Sequence, residues 1–165
     1  MRILGIDPGL CVTGYGLIET GPKGIKLIEA GVVRTSAKEK IEERIGKVYR
    51  GIKDLVKESK PEVVVLEQLY SHYRHPTTSI LMGHARGVIC LLAQESGAEL
   101  AGYSATRVKK AITGTGHASK YQMQRMIQNL FKMKSVPNPP DISDALALAV
   151  AHARISGKDT VAGLK

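Results

Sequence analysis

The chain has 165 residues, with 24 Lys and Arg against 15 Asp and Glu and a formal net charge of +9; this length fits one domain that buries ~68–70% of its unfolded surface without staples. Cys11 and Cys90 form neither a ligand spacing nor a disulfide framework, which points to a reducing cytosol and away from a disulfide-stapled fold. No stretch approaches the ~18–20 uncharged apolar residues of a membrane span, and the run 1–6 is cut short by Asp7 and Pro8 before it reaches signal-peptide length; a cytoplasmic protein is expected.

Residues 3–6, 14–19 and 25–33 are apolar, β-compatible runs separated by Gly and Pro, and they predict an antiparallel meander of three strands. Ser36 and Glu39 have capping-box spacing ahead of Ile41, Ile45, Val48, Ile52, Leu55 and Val56. Their three- and four-residue intervals predict a helix that Pro61 stops. Val63 to Leu66 lack polar alternation, as expected of a strand covered on both faces and paired in parallel through a helical crossover. A second helix is expected from Thr78 or Ser79 to Gly97, then a short strand over 100–103 and a short helix over 104–111. Ser119 and Gln122 again have capping-box spacing, ahead of Met123, Met126, Ile127, Leu130 and Phe131. Pro137, Pro139 and Pro140 lead into a last helix over about 141–156. The expected architecture is a single α/β domain, 1–165, with a five-stranded mixed sheet, three strands antiparallel and two parallel, flanked by helices.

Three acidic clusters stand where a strand ends or a helix begins: Asp7, Glu67, and Asp141 with Asp144. If the strand at 63–66 runs parallel to the first, Asp7 and Glu67 share the carboxyl edge where open α/β sheets bind ligands. Asp141 and Asp144, three apart, project from one helix face. Each has a plainer explanation alone: Asp before Pro-Gly starts turns, and acidic residues in a first helical turn are favoured by the macrodipole, ~0.3–1 kcal/mol each. Together they form a pocket whose mutual repulsion a divalent cation would relieve. Hard oxygen donors suit Mg²⁺ or Mn²⁺, and two such ions would serve water activation and leaving-group stabilisation. On a basic body this points to a phosphodiester substrate and a metal-dependent nuclease.

The segment 68–78 concentrates Tyr70, His72, Tyr73, Arg74 and His75 in a chain with only seven aromatic residues. Exposed rings stack on bases for ~1–3 kcal/mol each, and Arg contacts phosphate, so Tyr70, Tyr73 and Arg74 are candidate DNA contacts. His117 fits a phosphate contact or a helix-entry residue equally well. Residues 114–120 lack the Gly-Lys-Ser/Thr ending of a nucleotide P-loop.

Gly5-Ile6-Asp7-Pro8-Gly9, Thr13-Gly14-Tyr15-Gly16, Leu66-Glu67-Gln68, Ala85-Arg86-Gly87, Val108-Lys109-Lys110, the segment from Gly114 to Lys120 and the segment from Asp141 to Ala147 occur in this order over nearly the whole chain. Together they resemble the RuvC family of Holliday-junction resolvases. The resemblance implies a ribonuclease-H-like fold, a homodimer, RuvA and RuvB as branch-migration partners, and Mg²⁺-dependent nicking of two opposed strands of a four-way DNA junction in recombination and repair, leaving 5′-phosphate and 3′-hydroxyl ends. It implies metal-site roles for Asp7, Glu67, Asp141 and Asp144, and roles for Lys109 and Lys120 in holding the DNA backbone and stabilising phosphate charge. The sequence departs from the family at Tyr70, where Phe is common; the ring is kept and a hydroxyl added. Two other functions compete. An actin-like nucleotide-binding relative needs a second lobe for which 165 residues leave no room, and a noncatalytic nucleic-acid-binding module leaves the four carboxylates unexplained.

Overall fold

The computed structural model describes residues 1–68 and 76–157. Strands β1 (Arg2–Asp7), β2 (Val12–Gly21) and β3 (Gly24–Arg34) form the expected antiparallel meander. Gly24, at φ +97°, makes the reversal between β2 and β3, a conformation that glycine adopts without steric cost. Helix α1 (Ile41–Ser59) crosses over to β4 (Val63–Glu67), which pairs parallel with β1 from Ile3↔Val63 to Ile6↔Leu66. Helix α2 (Pro76–Ser96) leads to β5 (Glu99–Tyr103), parallel to β4. Helices α3 (Ala105–Thr113), α4 (Lys120–Leu130) and α5 (Pro140–Ile155) follow. The sheet order is β3-β2-β1-β4-β5, the ribonuclease-H-like arrangement expected.

The unbroken apolar run of β4 is explained by a core on each face of the sheet. Val63 and Val65 join Ile3 and Ile18 under α3, α4 and α5, whereas Val64 and Leu66 join Leu4, Ile6 and Leu17 against α1 and α2. Alternate residues thus serve opposite layers.

Helix α5, from Ser143 to Ala153 almost wholly buried apart from Asp144, lies directly on the backbone of β1 and β2. A Cβ at Gly5 would stand 2.8 Å from the Ala149 nitrogen, and one at Gly14 would stand 2.9 Å from Asp141 Cβ. These glycines let helix and sheet approach closely, and so fix where the first turn of α5 rests.

Two expectations are corrected. Ser36 and Glu39 do not cap α1, although Glu39 Oε2 accepts from the Ser36 nitrogen at 3.4 Å while its other oxygen meets Lys47 at 2.6 Å: the Glu39 nitrogen donates to the Ser36 carbonyl at 3.1 Å, and these residues form a separate turn ahead of the helix. The helix starts later, at Ile41, where Glu43 Oε2 accepts from the Lys40 backbone at 3.1 Å. Helix α2 begins at Pro76, ahead of Thr78, because proline is suited to a first turn whose N–H groups have no helical partner. The box at Ser119 and Gln122 is present as expected, at 2.8 and 3.2 Å. Among the described residues no helix is long and apolar enough to cross a membrane.

Candidate active site

Asp7 and Glu67 are the last residues of two adjacent parallel strands, each one step beyond the register pair Ile6↔Leu66. Their carboxyls therefore emerge side by side at the same sheet edge. Asp7 pairs in register with Gly14, the residue on which the Asp141 backbone rests, so the start of α5 is delivered to the same edge. Pro139 and Pro140 stiffen the entry into that helix. Ser119 caps α4 and leaves Lys120 as its first residue, with Nζ 2.7 Å from Asp144 Oδ2.

The resulting cleft, about 220 Å³, is lined by Asp7, Glu67, Asp144, Lys109 and Lys120 above an apolar floor of Val108, Met123, Ala147 and Leu148. Asp7 is raised from 3.8 to about 7, chiefly by burial, then by the charges of Asp144, Asp141 and Glu67, with Lys120 acting in the opposite sense. Glu67 is raised too, by burial first and Asp144 next, while Lys109 opposes. Lys120 is raised, mainly by its hydrogen bond to Asp144. The four carboxylates thus act on one another, although among the described residues no three His, Cys, Asp or Glu side chains stand close enough to form a finished metal cage. A larger depression, about 720 Å³ between the C-terminal ends of α1 and α2, contains none of these groups.

The expected residues are distributed unevenly. Asp7, Glu67, Asp144, Lys109 and Lys120 line one cleft, and Asp141 acts on Asp7 from beside it without lining it. His117 is exposed in the loop between α3 and α4, outside the cleft, its backbone nitrogen donating to Thr115 Oγ1 at 3.4 Å. Tyr70, Tyr73 and Arg74, with His72 and His75, lie outside the described residues. One residue given no role from the sequence is Arg86 of α2, whose Nη1 donates to the Glu67 carbonyl at 2.5 Å. Its signal was the Ala85-Arg86-Gly87 motif, which carried no clue to a contact 19 residues back.

The sequence model described as "Crossover junction endodeoxyribonuclease RuvC" matches residues 3–152. The protein of that name from Rhodopirellula baltica is 43% identical over 148 residues, which cover 90% of this chain and 83% of that one. Its namesake from Moorella thermoacetica is 40% identical over 153 residues, 93% of this chain and 91% of the other. The structure of Thermus thermophilus RuvC in complex with Holliday junction substrate superimposes with a TM-score of 0.88 at 31% identity, covering 96% of this chain and 98% of that one. A family match over residues 3–152, identities of 40–43% over nine-tenths of the chain and a shared fold give one conclusion: this chain belongs to the RuvC family of crossover junction endodeoxyribonucleases.

Proposed function

We propose that this chain resolves four-way DNA junctions by metal-dependent nicking of two opposed strands, leaving 5′-phosphate and 3′-hydroxyl ends, in recombination and repair. The observation that carries the reading is Asp7, a half-buried carboxyl in the cleft, raised to about 7 among three further carboxylates, on a chain of net charge +9. Such a set gains most from a bound cation, and its all-oxygen chemistry fits Mg²⁺ or Mn²⁺. Asp7, Glu67, Asp141 and Asp144 would hold the ions, two per site. When bound, such ions supply the positive charge that promotes water ionisation and stabilises a leaving oxygen.

The remaining steps belong to side chains. Lys109 and Lys120 hold the scissile-strand phosphates at the mouth of the cleft, and Lys120, exchanging Asp144 for phosphate, offsets charge that develops there. Arg86 anchors the end of β4, and with it the direction of Glu67. His117 joins the phosphate contacts from the loop before α4. Tyr70 stacks on an unpaired base at the crossover, and Tyr73 and Arg74 add contacts to the DNA.

Two equivalent cuts require two equivalent sites, which an isologous homodimer supplies. Helix α2 offers a surface for it: Ile80, 62% exposed, Gly83, Gly87 and Leu91, 51% exposed, recur at three- and four-residue intervals along one outward stripe. Ala85, also a candidate for this contact from its size, is fully buried and faces the core instead. RuvA and RuvB are the branch-migration partners of this reading, and residues 1–165 form one nuclease domain.

The test is incubation with a synthetic four-way junction in Mg²⁺ or in EDTA, with ATP turnover followed in parallel. Paired nicks on opposed strands, in Mg²⁺ only, are expected. ATP hydrolysis, or junction binding without any nicking in Mg²⁺ or Mn²⁺, would overturn the reading.

A further inference from the structure

The chain's positive charge is distributed very unevenly. Residues 100–140 contain Arg107, Lys109, Lys110, Lys120, Arg125, Lys132 and Lys134 and no Asp or Glu, so this quarter of the chain accounts for seven of the nine net charges. Two of the seven, Lys109 and Lys120, line the catalytic cleft. Others point elsewhere. Lys110, Arg125, Lys132 and Lys134 are all exposed, and none forms an ion pair with a described acidic residue.

Helix periodicity separates the two sets. Lys120 leans into the cleft, while Tyr121, one position on and 66% exposed, turns outward with Arg125 one turn further. Together with Thr113, Thr115 and Met126 they line a second depression of about 340 Å³ on the outside of the α3–α4 hairpin. It combines hydroxyls, a guanidinium and an exposed phenol around a small apolar patch, the chemistry that grips a phosphate and its sugar. The guanidinium of Arg125 is steadied by Gln128, which accepts from Nη1 at 2.7 Å.

We infer that the outer face of the α3–α4 hairpin is a second DNA surface, distinct from the cleft, along which one duplex arm lies as it leaves the active site. Arg125 and Lys110 contact its phosphates, and Tyr121 packs against the sugar edge. The contact is to the backbone and carries no sequence preference. The inference rests on the reading of this chain as an enzyme of DNA junctions, but it concerns binding outside the cleft and is tested by binding.

The experiment uses the full chain with Asp144→Asn to prevent cutting. Affinity and its salt dependence are measured on a junction with long arms and on one whose arms are trimmed to the pairs beside the crossover and closed by hairpin loops. Lys110→Gln with Arg125→Gln should lower the salt slope on the long-armed junction by roughly two units, one per lost phosphate contact, and weaken binding at least ~10-fold at moderate salt. The trimmed junction should bind as before, Arg125→Lys should retain the slope, and single-turnover nicking at saturating enzyme without Asp144→Asn should be unchanged. An unaltered slope on long arms, or an equal loss on trimmed ones, would overturn the inference. A chain that grips long duplex through these residues yet never nicks a junction would support this surface while overturning the resolvase reading.

Discussion

Lys120 Nζ lies 2.7 Å from Asp144 Oδ2 in a cleft that also contains Asp7 and Glu67. The ammonium is thus a counter-charge held by a side chain, on a flexible stem that is more than half exposed. On the proposed function, a divalent cation would take Asp144 and a substrate phosphate would take Lys120, so that together they would replace this pair.

Lys120→Ala should therefore separate binding from chemistry. Loss of one phosphate contact lowers the salt slope of junction binding by roughly one unit, and loss of a charge aimed at the reacting phosphate should lower the nicking rate by ~10²-fold. Single-turnover kinetics at saturating enzyme isolate the second effect. An unchanged rate under those conditions would remove Lys120 from the chemistry and leave it a binding residue, as Lys109→Ala is expected to be.

Replacing Asp7, Glu67 or Asp144 by the amide should abolish cleavage while junction binding survives or tightens, because each swap removes an anionic oxygen donor with almost no change of shape. Asp141→Asn should have a milder effect, since Asp141 does not line the cleft. Nicking assays beside gel-shift affinities check both parts.

Protonation of Asp7 links the site to stability. Its carboxyl titrates at 3.8 when unfolded and about 7 when folded, so between these values the folded chain binds more protons. This contribution is complete below 3.8 and lost as pH rises through about 7. In EDTA the native protein should lose stability over that window, by on the order of a few kcal/mol, relative to Asp7→Asn. Mg²⁺ should restore more of it at pH 8 than at pH 6. Melting curves of the two proteins with parallel pH profiles would refute this.

Glu67 and Asp7 were legible as neighbours because an unbroken apolar run at 63–66 betrays a doubly covered parallel strand, and the strand end then fixes the carboxylate. The pair on α5 was legible only to within a turn. Three residues rotate a helix by about 300°, so Asp141 and Asp144 diverge by ~60°, and only the second lines the cleft. What spacing could not disclose was where α1 starts: Ser36 and Glu39 keep part of their box, with Glu39 Oε2 accepting from the Ser36 nitrogen, yet close a separate turn, and the helix begins at Ile41. Ala85 turns inward as its place two residues from Gly83 and Gly87 requires, on the opposite side of the helix. Arg86 was hidden for another reason: its partner is a main-chain carbonyl, which leaves no mark in a side-chain pattern.

The stripe on α2 predicts an association defect. Leu91→Glu sets a charge on that outward face and should shift sedimentation from dimer to monomer, and convert paired nicks into slow, uncoupled ones. A variant that remains dimeric would move the interface off this helix.

Gly14→Ala tests the seat of α5. The added methyl meets the Asp141 backbone and stands 2.9 Å from its Cβ, so accommodation must lift the first helical turn, at a cost of ~1–3 kcal/mol. Cleavage should fall more steeply than stability, because the same displacement carries Asp144 away from Asp7. Full activity in a folded Gly14→Ala protein would show that the turn has room to spare.

The bare main-chain seat beneath α5 has a consequence for how such a site tolerates change. With no side chain interposed at Gly5 or Gly14, the gap between the strand-borne and helix-borne acids is a hard stop between two backbones, unaffected by any rotamer. Substitutions elsewhere in the two cores can rearrange their packing without altering that spacing, whereas a single methyl at either glycine changes it. The tightest restriction on variation therefore falls on residues that have no functional group at all.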